Sequence, residues 1–157
     1  MLINKLLFDF LGIRHFLAKK TNAKILSNLI EDLKPVPASR RLIRLGAQTD
    51  GGYLIPDDLD GIAACFSPGV ADCVKLEVAC ANLGMQIFLA DNTIDQLPAE
   101  NPSFHFSKSF IGSISEDSFL RLDEWVGSTE LSPSTELILQ MDIEGDEYET
   151  LISASDE

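Results

Sequence analysis

Residues 62–93, IAACFSPGVADCVKLEVACANLGMQIFLADNT, carry the strand–helix–strand pattern that decides the fold. Residues 62–66 form a short apolar run of the kind found in buried strands. Residues 73–83 have apolar side chains at helical spacing, and Gly84 follows them where helices commonly end. Residues 85–90 form a second apolar run. This stretch therefore predicts two buried strands joined by a helix.

The same alternation continues toward the C-terminus. A third extended stretch is marked by its phenylalanines, Phe104, Phe106 and Phe110. Residues 115–126 have helical spacing, and residues 136–143, ELILQMDI, form a fourth apolar strand before an acidic helix start at Gly145. Because strands alternate with helices, the sequence predicts an α/β fold with a parallel sheet.

The part of the chain before this alternation has a different pattern. Residues 1–34 have helical spacing of apolar side chains, and Pro35 and Pro37 close the helical segment because proline lacks an amide donor. Residues 41–56, RLIRLGAQTDGGYLIP, form two short extended runs around an Asp-Gly-Gly turn signal at residues 50–52. We expect a helical N-terminal segment followed by an extended hairpin.

The charge is distributed unevenly along the chain. The sequence has 12 basic and 25 acidic side chains, and residues 1–44 carry a net charge of +6 while residues 45–157 carry −19. Such an acidic body repels phosphate backbones, so nucleic acid is not an expected partner. The basic segment 1–44 either makes a peripheral contact with an anionic membrane or partner, or is a solvated helical segment, which is the commoner case.

Chain length, hydropathy and cysteine content indicate the cellular context to expect. The 157 residues suit one domain, and no window approaches 18 apolar residues, so no transmembrane segment is expected. The start resembles a signal peptide, but Asp9 interrupts its apolar run and no small-residue cleavage site follows. The three cysteines form no CxxC pair and are odd in number, which fits a reducing compartment. We expect a cytoplasmic protein.

The ends of the predicted strands carry the candidate functional residues, since ligands of open α/β sheets bind there. Residues 66–72 form a tight turn into a helix, which can either face a ligand or simply connect the two elements, because GxGxxG spacing is absent. Asp91 closes the second strand roughly 20 residues after Gly69, where an acid can bind ribose hydroxyls. It can equally be a turn former or helix cap.

Asp142 and Glu144 follow the fourth strand and share strand parity, so both are expected on one side of the sheet edge. Carboxylates there can bind a metal, act as a general base or stabilise a cation. Alternatively, they gather there because a helix N-terminus favours acids. An EF-hand is excluded, because Ile143 and Tyr148 intrude and the preceding segment is a strand.

The histidines and hydroxyls offer little catalytic signal. His105 alternates with Phe104 and Phe106, so we expect it to point away from their face. The order of Ser, His and Asp residues suggests no hydrolase triad.

The segment ILQMDIEGDEYETL (138–151) resembles the lKiDiEGaEwevL signature of FkbM-type methyltransferases, which are class I enzymes that depend on S-adenosylmethionine. Four upstream segments are similar to pieces of the same group in the same order. They are RLGAQTDGGYLIPDDL (44–59), FSPGVADCVKLE (66–77), FLADNT (88–93) and RLDEWV (121–126). The resemblance runs from residue 44 to the last residue.

This resemblance implies a Rossmann-like class I methyltransferase fold. The class usually has seven strands in the order 3-2-1-4-5-7-6, and this sequence supplies about four of them. Residues 1–43 would be a basic helical N-terminal segment, and residues 44–157 about the N-terminal two-thirds of a methyltransferase domain, apparently truncated at its C-terminus.

The resemblance also implies residue roles. Ser67, Gly69 and Val70 would line the methionine and ribose portion of S-adenosylmethionine, although many class I enzymes carry an acid where Ser67 stands. Asp91 would bind the ribose hydroxyls, with Asn92 beside the adenine. Asp142 and Glu144 would face the transferred methyl and the acceptor hydroxyl. No metal is implied.

The function expected from the resemblance is methyl transfer from S-adenosylmethionine to a hydroxyl of a sugar, glycan or lipid-linked acceptor. The alternative is a truncated, non-catalytic remnant or interaction module that retains the cofactor-binding half. A nicotinamide dinucleotide binder is a weaker option because GxGxxG is absent. The oligomeric state is left open by the sequence.

Overall fold

The computed structural model describes residues 20–155, which fall into two compact units that divide after Pro37. The described part of the first unit contains one helix, α1 (Ala23–Asp32). The Asn22 side chain caps it by accepting hydrogen bonds from the amides of Lys24 and Ile25, at 2.8 and 3.4 Å. The helix ends before Pro35, as expected. The helical prediction for residues 1–19 lies outside the described residues.

The second unit contains all the other described elements. In chain order they are β1 (Leu42–Gly46), β2 (Gly52–Pro56), β3 (Ala64–Pro68), α2 (Lys75–Asn82), β4 (Gln86–Ala90), β5 (Phe104–Ser107), β6 (Phe110–Gly112), β7 (Phe119–Arg121), α3 (Leu122–Gly127), β8 (Leu137–Leu139) and α4 (Glu147–Ser153). Strands β1 and β2 form the predicted antiparallel hairpin, in which Leu45 pairs with Tyr53.

The central element of the second unit is a four-stranded parallel sheet with the order β5-β4-β3-β8. The predicted mixed α/β architecture with a parallel sheet is therefore confirmed, and the strand order is compatible with a Rossmann-like fold. The chain passes from β3 to β4 and β5 on one side, and β8 returns to the other side of β3. This reversal leaves a crevice at the carboxyl ends of β3 and β8, where ligands of such sheets bind.

Each face of the sheet is covered by its own apolar cluster. On one face, Cys65, Ile87 and Leu89 pack with α2 residues that include Leu76. On the other face, Phe66 stacks on Phe88 with ring centroids 4.7 Å apart, and Trp125 meets Phe66 edge-on at 5.1 Å. All five residues of β3 are buried, which is typical of a parallel strand covered on both faces.

His105 and the phenylalanines beside it lie as the alternation predicted. Phe104 and Phe106 pack against the Cys65 cluster, whereas the His105 ring stacks on Phe88, on the opposite face, at 4.9 Å. The third extended stretch is divided, however, because β5 joins the main sheet and β6 pairs with β7 in a separate two-stranded sheet. Residue spacing alone did not indicate this break.

The helix predicted over residues 115–126 is wrong in its first half. Residues 119–121 form strand β7, parallel to β6, and the helix begins only at Leu122. Asp117 has a left-handed backbone with φ 53°, and the Ser115 hydroxyl accepts a hydrogen bond from the Arg121 amide at 3.0 Å. Serine and aspartate compete with helix formation in this way, through local side-chain bonds and left-handed turns.

Across residues 20–155, none of the helices has the length and apolar character that crossing a membrane requires.

Candidate functional site

The carboxyl ends of β3 and β8 come together at Gly69 and Asp142. Beyond the three residues of β8, the Gln140 amide donates to the Phe66 carbonyl at 2.9 Å and the Asp142 amide donates to the Pro68 carbonyl at 3.2 Å. Gly69 has φ 84°, and a Cβ atom added to it would lie 1.7 Å from the Asp142 carbonyl oxygen. Glycine is therefore required at this turn because the chain's own backbone fills the space beside it.

Asp91 connects the end of β4 to the same turn. Its Oδ2 accepts a hydrogen bond from the Ala71 amide at 2.9 Å, and its Oδ1 accepts from the Thr93 amide and hydroxyl at 2.7 and 2.6 Å. The side chain is buried, with only 6% of the residue exposed. Burial acts to raise the pKa of Asp91, but the bonds from Thr93 and from the Ala71 and Val70 amides outweigh it and hold the pKa below its usual value.

Ser67 lies at the centre of a buried polar network. Its Oγ is 2.5 Å from Glu77 Oε1 and 2.8 Å from Gln140 Oε1. The Gln140 Nε2 in turn donates to the Tyr53 hydroxyl at 3.1 Å. The four side chains come from β3, α2, the residue after β8 and the hairpin, so the network connects these four parts of the fold.

Glu77 is the buried acid of this network. The residue is 3% exposed, and its Oε2 has no hydrogen-bond partner among the described residues. Burial raises the pKa of Glu77, and the bond with Ser67 only partly opposes this effect. A hydroxyl has one proton, so a protonated Glu77 can donate to Ser67 while Ser67 donates to Gln140.

A cavity of about 90 Å³ lies beside this network. Its charged lining is entirely acidic, since it contains no Lys, Arg or His. The lining residues are Asp50, Gly51, Tyr53, Gly69, Val70, Ala71, Asp72, Cys73, Leu76, Glu77, Gln140 and Asp142. Burial, followed by the nearby carboxylates of Asp142 and Asp50, raises the pKa of Tyr53. The cavity therefore favours a positively charged group.

The predicted site residues are distributed as follows. Gly69, Val70 and Asp142 line the cavity, and Ser67 lies behind it through Glu77 and Gln140. Asp91 supports the turn from the neighbouring strand, and Asn92 follows it as a half-buried residue.

Glu144 does not share the position of Asp142. The fourth strand was predicted to reach residue 143, but β8 ends at Leu139, and Glu144 has a left-handed backbone with φ 60°. Strand alternation therefore does not apply to these two acids. Asp142 is an exposed lining residue of the cavity, whereas Glu144 is exposed and outside that lining.

Three side chains of the site, Tyr53, Glu77 and Gln140, were missed by sequence reasoning. Tyr53 belongs to the DGGY segment, and Gln140 is a polar residue inside the apolar run ELILQMDI. Both were visible signals, because a polar side chain that an apolar stretch carries out of water needs a partner. Glu77 carried no such signal, since a glutamate within a helix is ordinarily solvated.

Among residues 20–155, no three His, Cys, Asp or Glu side chains are grouped as a metal site. Comparison of this chain with family models, curated proteins and solved structures gives no match in any of the three.

Proposed function

We propose that this chain binds S-adenosylmethionine at the carboxyl edge of its parallel sheet and transfers the methyl group to a hydroxyl of a sugar, glycan or lipid-linked acceptor. One observation carries the proposal. Three segments that resemble FkbM-type methyltransferases, at Gly69, Asp91 and Asp142, meet at one edge of the sheet. The acceptor class comes from that resemblance.

The residues of this edge fit the charge of the proposed cofactor. When bound, S-adenosylmethionine supplies a methyl group that its positively charged sulfur has already activated. The cavity lined by Asp50, Asp72 and Asp142 is complementary to positive charge. Its volume of about 90 Å³ is far below the roughly 300–1,000 Å³ of common ligand sites, so only one end of the cofactor would enter it.

Asp142 is the side chain that we propose as the general base. Its carboxylate is exposed and lines the cavity, so a bound ligand and an acceptor hydroxyl can both approach it. A carboxylate within hydrogen-bond distance can take the hydroxyl proton as the oxygen becomes nucleophilic. The Gly69 contact holds the Asp142 backbone in place, which favours a fixed orientation of the reacting groups.

The test is isothermal titration of the full chain with S-adenosylmethionine, with NAD as the comparison ligand. We expect saturable binding of S-adenosylmethionine with a micromolar dissociation constant and no heat with NAD. Absence of S-adenosylmethionine binding by the folded chain would overturn the proposal. Binding without methyl transfer to a panel of sugars, glycans and lipid-linked hydroxyls would favour a non-catalytic module.

A further inference from the structure

We propose that α1 lies on an anionic lipid surface, with an apolar stripe buried at the boundary between headgroups and acyl chains. The apolar stripe is made of five side chains, Ile25, Leu26, Leu29, Ile30 and Leu33. The inference does not depend on the proposed function, because the stripe belongs to the first compact unit and the candidate cofactor site to the second.

The first support is the exposure of the apolar stripe. None of the ten residues of α1 is buried, and the five residues of the stripe are each 47–71% exposed. A helix turns by about 100° per residue, so these five positions lie within about 140° of its circumference. The opposite side carries Lys24, Ser27, Asn28 and Glu31. A helix that is simply solvated has polar side chains all round, so this pattern indicates that another apolar surface covers the stripe.

The second support is charge, which favours an anionic surface. Residues 1–44 carry nine basic and three acidic side chains. Lys20, Lys24 and Lys34 lie within or beside α1. Glu31, near the end of the helix, is paired with Lys34 at 2.6 Å. Each basic side chain close to an anionic bilayer strengthens binding by about fivefold, so this segment and anionic lipid are complementary.

The third support is the composition of the stripe, which favours lipid over a protein partner. It contains only leucine and isoleucine, and these side chains suit acyl chains. Protein interfaces gain most of their affinity from tryptophan, tyrosine and arginine anchors, which the stripe lacks. A second copy of α1 is also disfavoured, because two basic segments repel each other.

The acidic second unit does not prevent this docking. Residues 45–157 carry a net charge of −19, but the Debye length is about 8 Å at physiological ionic strength. A compact unit of this size has a radius of gyration of about 13 Å. Most of its charges therefore lie further from a bilayer than the Debye length, and their repulsion is screened.

The test is sedimentation of the full chain with two kinds of vesicle, one of mixed phosphatidylcholine and phosphatidylglycerol and one of phosphatidylcholine alone. The variants are Leu29→Gln in the stripe and Lys24→Gln on the polar side, since glutamine keeps a high helix propensity. Leu83→Gln is the matched apolar control, because Leu83 is 55% exposed in the second unit and Leu29 is 51% exposed. Lys75→Gln, at an exposed lysine of α2, is the matched charge control.

We expect the wild-type chain to sediment with the mixed vesicles and to bind phosphatidylcholine at least tenfold more weakly. Leu29→Gln should weaken binding to the mixed vesicles by about tenfold and Lys24→Gln by about fivefold, while both controls bind as wild type does. No binding to the mixed vesicles, equal binding to both kinds, or binding that Leu29→Gln leaves unchanged would overturn the inference.

A fluorescence measurement keeps the inference falsifiable if Leu29→Gln fails to fold. Leu29→Trp places an indole in the apolar stripe, and Ser27→Trp places one on the polar side. The chain's single tryptophan, Trp125, is 4% exposed, so its emission changes little when vesicles are added. We expect a blue shift and quenching by brominated lipid for Leu29→Trp only, and equal responses of the two variants would overturn the inference.

Size-exclusion chromatography without lipid distinguishes the other occupant of the stripe. The inference predicts that wild type and Leu29→Gln elute at the same size. A dimer of the wild-type chain that Leu29→Gln converts to a monomer would assign the stripe to a second copy, and would overturn the inference.

Discussion

Gly69 lies so close to Asp142 that a Cβ atom on the glycine would sit 1.7 Å from the aspartate's carbonyl oxygen. This contact joins the turn after β3 directly to the chain that follows β8. It fixes the distance between the turn that is proposed to bind the cofactor and the segment that carries the proposed base, because backbone atoms adjust less readily than side chains.

Gly69→Ala should therefore destabilise the fold strongly. The left-handed backbone at φ 84° and the clash with Asp142 act together, and we expect a loss of about 3 kcal/mol or more in the free energy of unfolding. Gly61→Ala is the matched control, because Gly61 has φ 89° and no atom within 4 Å of the added Cβ. Urea unfolding measures both, and equal losses in the two variants would contradict the contact.

Asp91→Asn should destabilise the fold at neutral pH by about 1–3 kcal/mol. The nitrogen of the asparagine side chain is a donor, and it would face another donor, either the backbone amide of Ala71 or that of Thr93. The lowered pKa of Asp91 means that its contribution is present above the unfolded pKa, near 3.8. The contribution is lost as the pH falls through the folded pKa.

Urea unfolding at pH 7 and at pH 3 checks this dependence on Asp91. The difference between wild type and Asp91→Asn should shrink at the lower pH, while Asp58→Asn, at an exposed position, should match wild type at both. A difference that stayed constant between the two pH values would be inconsistent with an ionised Asp91 bracing the turn.

Glu77 should have the opposite pH dependence. Its raised pKa means that the folded state keeps the proton at pH values where the unfolded state has lost it. The contribution of Glu77 to stability is therefore largest below about pH 4.5, the ordinary pKa of a glutamate. Stability is lost as the pH rises from there toward the folded pKa. Urea unfolding between pH 4 and pH 8 should show that the free energy of unfolding of Glu77→Gln rises relative to that of wild type as the pH increases. A difference between the two proteins that does not change with pH would refute this prediction.

Asp142→Asn should lower turnover by about a hundredfold or more, the usual loss when a general base is removed. Its affinity for S-adenosylmethionine should remain within a few-fold of wild type, because asparagine retains the shape and the backbone contact. Transfer of labelled methyl to a panel of hydroxyl acceptors measures turnover. Asp146→Asn, at an exposed acid outside the cavity lining, is the control, and unchanged turnover in Asp142→Asn would remove the proposed base.

The main sheet was predictable because its signals are local. The apolar runs of β3 and β4 and the glycines that follow β3 and α2 mark a buried strand–helix–strand unit, and proximity of the strand ends follows from parallel pairing. Residues 115–121 were not predictable in this way. There, the Ser115–Arg121 hydrogen bond and the left-handed Asp117 override the helical spacing of the apolar residues.

The candidate site was predictable at its backbone and less so at its side chains. Gly69 and Asp91 were identified as turn and loop residues, and they are in contact through the same turn. The partnership of Ser67 with Glu77 depends on how α2 packs over β3. Helical periodicity marks Glu77 only as a polar position, so a tertiary contact of this kind is invisible in one sequence.

The most direct test of the central claim is an NMR titration of the full ¹⁵N-labelled chain with S-adenosylmethionine. We predict saturable shifts at the amides of Gly69, Val70, Ala71 and Asp142, with smaller or no shifts at Glu136, which precedes the amino end of β8. No shift at saturating concentration, or shifts confined to residues away from the ends of β3 and β8, would contradict it.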